Sequence, residues 1–291
     1  MAMRWESDAK LVLDGAVVEL DWTEDGLARP EEPGHFVLQK TREMVSYYAS
    51  LAGPGCQRIL EAGILRGGSV VLFDQLFQPR RLVAFDLSPA QLPNLDAYVA
   101  QRGAKDRIHL YHGIDQANSQ ALQRLISAEF ATEPLDLVID DASHLLPESK
   151  VTFNTVFPRL RPGGLYVIED WGWAHWPGFW QDHGGPWATD PSLTQLILEL
   201  VMASASRPDI VTDVLARRDL VAVRRGPAAV PEGFDISESY LTAGRKFTET
   251  LWKRPWVRRL PLPRLLRRAG WVWRHEGAGR VVRRIGQRLG L

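Results

Sequence analysis

Between residues 58 and 170 the sequence repeats one pattern. Short apolar runs, RILEAG (58–63), RLVAFD (81–86), RIHLYHG (107–113), LDLVIDD (135–141) and LYVIED (165–170), alternate with segments long enough for helices. Runs that are apolar on both alternating faces belong to strands buried on both sides, and the intervening helices supply the cover. The pattern predicts βαβ units and a doubly wound, mostly parallel sheet. Beyond Pro208, DIVTDV and DLVAVRR are joined by the polar link LARR (215–218), which predicts an antiparallel hairpin at the edge and brings the sheet to seven strands.

The flanks read differently. In LVLDGAVVEL (11–20), Asp14-Gly15 between two apolar runs is a hairpin signal. Glu32–Leu51 clusters Phe36, Val37, Met44, Val45, Tyr48 and Leu51 and ends at Gly53-Pro54-Gly55, which predicts one packed helix leading into the first strand. Asp190-Pro191 before SLTQLILELVMASAS predicts a capped helix on the sheet. The expected organisation is an N-terminal hairpin and helix appendage (1–55), a central α/β domain (56–240) and a C-terminal tail (241–291). From Arg245 to Leu291 there are 14 Lys or Arg and only Glu249 and Glu276 as acids, a charge of +12, so the net charge of +0 leaves −12 on the first 244 residues.

An acidic body argues against a surface built to follow phosphate backbones, so no nucleic-acid partner is expected. The single cysteine, Cys56, removes internal disulfides and cysteine-based zinc sites. The N-terminus reads as lacking a signal peptide, and no apolar run approaches the ~18 residues of a membrane span. The expected location is cytoplasmic.

Ligands of open α/β sheets bind beyond the carboxyl ends of the strands, and those ends are polar here. The first run closes with Glu61-Ala-Gly63-Ile-Leu-Arg-Gly67-Gly68-Ser69, a glycine turn that permits close backbone approach. Leu65 stands where the dinucleotide fingerprint needs its second glycine, and the lysine of a phosphate-binding loop is missing, so NAD and ATP are disfavoured. Asp86, 23 residues past Gly63, is placed to accept ribose hydroxyls. Asp140-Asp141-Ala-Ser-His144 and Glu169-Asp170 should emerge at one rim. Two unit charges ~5 Å apart at an effective dielectric of ~20 repel by roughly 3 kcal/mol, so a cation is expected among these carboxylates. Oxygen donors favour Mg²⁺, with Mn²⁺ next. His144 stands close enough to serve as general base.

These motifs, IDDASH followed by PGGLYVIEDW above all, resemble those of class I, Rossmann-like S-adenosylmethionine-dependent methyltransferases. Within that class the likeness is to the metal-dependent sugar O-methyltransferases of the macrocin, mycinamicin and rhamnosyl type. The likeness covers about residues 35–225, and cephalosporin hydroxylase is similar over the same core. It implies that Glu61, Gly63, Gly67, Gly68 and Ser69 line the methionine side of S-adenosylmethionine, that Asp86 holds its ribose and that Asp115 lies near adenine. Asp140 is grouped with the cofactor-binding residues, as an acid behind the ligands or a structural one. Asp141, Glu169 and Asp170 would bind Mg²⁺ or Mn²⁺, with His144 as base. The implied reaction is methylation of a sugar hydroxyl in a glycosylated natural product, glycolipid or polysaccharide. The rival readings are a hydroxylase-like oxidation and a catalytically silent membrane-associated binding module.

After Asp170 come Trp171, Trp173, Trp176, Trp180 and Trp187 within 17 residues. Indole faces stack on sugar rings and exclude water, so Trp171, Trp173 and Trp176 with His175 are read as a substrate wall; His183 and Asp182 are further candidate contacts. In the tail, Val281, Val282, Ile285 and Leu289 share one helical face among arginines, a pattern suited to peripheral contact with the inner membrane surface. Self-association is left open.

Overall fold

The computed structural model describes residues 3–176, 185–231 and 233–242. The expectations for Trp180, Asp182, His183 and the basic tail lie outside the described residues. Of the described helices, none is long and apolar enough to cross a membrane.

The repeating runs form the strands expected of them: β5 (Arg58–Ala62), β6 (Arg81–Asp86), β7 (Ile108–His112), β8 (Leu135–Asp140) and β9 (Leu160–Glu169), all parallel. β10 (Val211–Ala216) and β11 (Leu220–Arg225) form the antiparallel hairpin. β11 inserts antiparallel beside β9, giving the order β10-β11-β9-β8-β5-β6-β7. The order reverses between β5 and β8, where the chain leaves one half of the sheet for the other and a crevice opens at the strand tips.

Strand alternation sends successive side chains to opposite faces. One face buries Leu82, Ala84, Leu137, Ile139 and Val167 under α3 (Gly68–Phe77) and α4 (Pro93–Gln101). The other buries Val83, Phe85, Val138, Tyr166 and Ile168 under α5 (Ser119–Phe130), α6 (Leu146–Val156) and α8 (Thr194–Ser206). The α8 segment forms as expected, but its N-terminal flank is Leu193 rather than Asp190, because a short helix, Pro186–Thr189, ends at Asp190.

The N-terminal segment departs from the expectation. The Asp14-Gly15 hairpin is present between β2 (Lys10–Leu13) and β3 (Ala16–Leu20), both turn residues having positive φ. Glu32–Leu51, however, is not one helix. His35–Leu38 forms β4, pairing parallel with β3 and completing a four-stranded sheet with β1 (Met3–Trp5), and only Arg42–Ser50 is helical, as α2. Pro33-Gly34 breaks the helix ahead of the β-prone HFVL, and the Thr41 hydroxyl caps α2 by accepting from the Met44 N–H. This small sheet shares one core with the main one: Leu11, Val18 and Phe36 join Val70 and Phe73 of α3.

The docking is close. A Cβ on Gly68 would lie 2.2 Å from the Val37 carbonyl oxygen of β4. Replacing a helical glycine by alanine ordinarily stabilises by up to about 1 kcal/mol. Gly68→Ala should instead destabilise by about 2 kcal/mol through overpacking, as read by chemical denaturation, and a gain in stability would contradict this contact.

Candidate active site

The crevice holds a cavity of about 420 Å³. It is framed by the β5–α3 turn (Gly63, Ile64, Leu65, Arg66, Gly68, Ser69), by Asp86 and Leu87 after β6, by Ile114, Asp115 and Gln116 after β7, by residues 141–145 after β8, and by Asp170 after β9. Residues 37–40 of the N-terminal segment close one side, and Pro186 and Trp187 border it as well. Of the non-glycine residues with positive φ, Leu65, His144 and Asp170 line this cavity. Backbone strain concentrated around one cavity is the pattern of a functional site.

Gly63, at φ +98°, comes so close to the next strand that a Cβ would lie 2.0 Å from the Asp141 carbonyl oxygen. A Cβ on Gly67 would meet Leu95 at 2.8 Å. The glycines of this turn therefore make room first for the protein's own backbone and side chains, not only for a ligand. Asp86 accepts the Ile64 and Leu65 N–H groups on Oδ2 and the Ser88 N–H on Oδ1, which anchors the turn while its partly exposed carboxylate borders the cavity. Asp115 also borders it and accepts the Ala117 N–H. Glu61 is fully buried beneath the turn, and burial pushes its carboxyl up to about 8 against the pull of Lys40.

Adjacent acids part company by strand alternation. Asp140 turns to the α5–α6 face, 2% exposed, where it accepts from Gln116 Nε2 at 3.1 Å and Tyr166 OH at 3.0 Å. It does not border the cavity, which corrects its assignment to the cofactor. Gln116 in turn accepts the Ser143 N–H at 2.7 Å and so ties down the loop carrying His144. Asp141, His144 and Asp170 come together: one ligand atom of each lies within 4.8 Å of the others, and His144 Nε2 is 4.0 Å from both Asp141 Oδ1 and Asp170 Oδ2. Burial pushes Asp170 up, reinforced by the Asp141 charge, and holds the His144 imidazole below its ordinary value.

Glu169 stands apart from this trio. Fully buried, it accepts from Lys40 Nζ at 2.5 Å and from the Tyr48 hydroxyl. Lys40 also donates to Asp141 Oδ2 at 2.8 Å. Sequence reasoning expected a cation among the carboxylates, and part of that charge is the protein's own ammonium. The sequence does not single out Lys40, because a lone lysine between two elements carries no periodic signal and a helix over 32–51 would place it on a helical surface.

The tryptophans divide. Trp173 is 1% exposed and its indole N–H donates to the His144 carbonyl at 2.8 Å, so it supports His144 rather than walling a substrate site. The Trp171 indole N–H donates to the Arg217 carbonyl, and the Trp176 ring lies under the Arg218 guanidinium. His175 pairs with Thr194. Of the tryptophans named from the sequence, Trp187 is the described one that borders the cavity.

The cavity, rimmed by acids, lies at the switch point of a doubly wound sheet, where open α/β sheets bind their ligands. Residues 60–171 match the family model described as a methyltransferase domain. Its relatives include mycinamicin VI 2''-O-methyltransferase of Micromonospora griseorubida, 36% identical over 129 residues, which are 42% of this chain and 29% of that protein. A tetracenomycin-C rhamnosyl 2'-O-methyltransferase of Streptomyces olivaceus is 34% identical over 113 residues, 39% of this chain and 26% of that one. The chain thus spans less than a third of the length of either relative. Among solved structures, the mycinamycin-pathway methyltransferase MycE, in complex with Mg, SAH and mycinamycin VI, superposes with a TM-score of 0.49 at 25% identity, covering 66% of this chain and 51% of that one.

Trp173→Phe keeps an aromatic ring in the core but removes the indole donor to the His144 carbonyl. It should lower the unfolding free energy by about 1–3 kcal/mol in denaturant titration, and an unchanged midpoint would show that this bond does not hold the loop.

Proposed function

We propose that the chain transfers a methyl group from S-adenosylmethionine to a sugar hydroxyl, with a divalent cation, Mg²⁺ or Mn²⁺, at the acidic rim. The substrate class is a glycosylated small molecule, as in the relatives' names. The observation that carries the reading is the convergence of Asp141, His144 and Asp170 at the edge of a cavity that Asp86, Asp115 and Ser69 also line.

The residues fit both groups. A cavity of about 420 Å³ falls within the size range of small-molecule sites. Two carboxylates within reach of one another offer the oxygen donors that Mg²⁺ prefers, whereas an imidazole is a poorer ligand for a hard cation. Asp141 and Asp170 would therefore hold the ion, and His144 is left for proton transfer.

When bound, S-adenosylmethionine supplies an already activated methyl and the divalent ion supplies Lewis acidity that makes an alcohol easier to deprotonate. The protein does the rest. His144, whose burial favours the neutral imidazole, accepts the hydroxyl proton, and the bond from Trp173 holds its backbone in a positive-φ conformation. Asp86 would hold ribose hydroxyls on the lone pairs that its backbone donors leave over. Trp187 and Pro186 narrow the cavity and limit water.

His144→Ala should lower methyl transfer to a glycoside acceptor at least a hundredfold while S-adenosylmethionine affinity stays within about twofold, measured by calorimetry. Full activity in that variant would remove the assigned base. Asp141→Asn or Asp170→Asn should raise the divalent-ion concentration needed for half-maximal activity by tenfold or more. Methylation indifferent to chelators would contradict the metal assignment.

A further inference from the structure

We propose that Lys40 is a positioning residue that sets the affinity of the acidic rim for its divalent cation. The inference rests on the metal reading above and concerns a residue contributed by the N-terminal segment. Lys40 lies between β4 and the capped start of α2, so its backbone is fixed on both sides. Its side chain is 1% exposed, with the ammonium between Asp141 and Glu169 and 5.8 Å from the centre of the Phe73 ring. A buried ammonium is stable only among compensating charges, and Asp141 and Glu169 are bonded to it directly.

The division of Asp141 is the key observation. Oδ2 faces Lys40, while Oδ1 faces His144 within the trio. The same carboxylate thus serves a permanent internal cation on one side and the exchangeable one on the other. Lys40 also occupies Glu169, which Tyr48 holds from the opposite oxygen, and so keeps that acid out of the trio. Two consequences follow. Without the divalent ion, Glu169 is still not buried as an uncompensated charge, and Asp141 keeps a cationic partner. A divalent ion must bind beside a fixed positive charge and without Glu169, which weakens its hold and leaves it exchangeable.

The test is Mn²⁺ titration of the full chain, followed by the electron paramagnetic resonance signal of free Mn²⁺, together with thermal unfolding in chelator. Lys40→Met keeps an unbranched apolar side chain and removes the charge; it should bind Mn²⁺ at least tenfold more tightly, with an unfolding temperature that falls in chelator and recovers with Mn²⁺. Lys40→Arg should keep wild-type affinity to within about threefold. The double variant Lys40→Met/Glu169→Gln removes the pair without changing net charge, so it should fold in chelator and return to near wild-type affinity. Mn²⁺ affinity in folded Lys40→Met equal to or weaker than wild type overturns the proposal, as does loss of binding in the double variant. Failure of every chain, wild type included, to bind Mn²⁺ overturns the metal reading and this inference with it.

Discussion

Three carboxylates, Glu61, Asp141 and Glu169, are carried on neighbouring strands toward one face of the sheet, and gathering them there, Glu61 and Glu169 fully buried and Asp141 one-fifth exposed, is the constraint around which the rest of the molecule is arranged. Mutual repulsion would splay the strand tips if nothing opposed it. Lys40 opposes it. Burial works against its charge, but Asp141, Glu169 and Glu61 outweigh that and hold the ammonium well above its ordinary value. Tyr48, on the helix that Thr41 caps, closes the same cluster from α2. The N-terminal segment thus borders the candidate site, because the link between β4 and α2 delivers the cation that lets Glu61 and Glu169 stay buried.

What remains at the rim is a smaller, more exposed set. Asp141 and Asp170 are both about one-fifth exposed at the side chain, against complete burial of Glu169. Exposure separates acids available to an exchangeable ion from acids committed to the fold. His144 sits between these worlds, its ring facing the two available carboxylates and its carbonyl held from below by Trp173. Strain at His144 and Asp170 is sustained by rigid neighbours, the Gln116–Ser143 bond and the Asp170–Asp219 backbone bond among them.

Much of this was legible in the sequence, and the failures have physical causes. Apolar runs between helix-length segments specified the parallel sheet because strands covered on both faces admit few other compositions. Polar residues at the ends of those runs located the crevice. Strand alternation could also have separated Asp140 from Asp141, since neighbours on a strand face opposite ways; treating the rim as one cluster overlooked this. The helix expected over 32–51 concealed β4, because HFVL followed by a helix has enough apolar residues to imitate one continuous helix. Losing β4 meant losing Lys40, whose partners lie 101 and 129 residues away. The density of indoles after Asp170 marks the neighbourhood of the site, but composition does not show that Trp173 is buried.

The central claim is that the exposed acids of two strand ends, and not the buried one, receive a divalent ion at the cavity edge. Anomalous diffraction from crystals grown with Mn²⁺ and S-adenosylhomocysteine tests it most directly. The account predicts a peak within coordination distance of Asp141 and Asp170, beside His144, with Lys40 still bonded to Glu169. A peak coordinated by Glu169 with Lys40 displaced, or none at the rim, would contradict it.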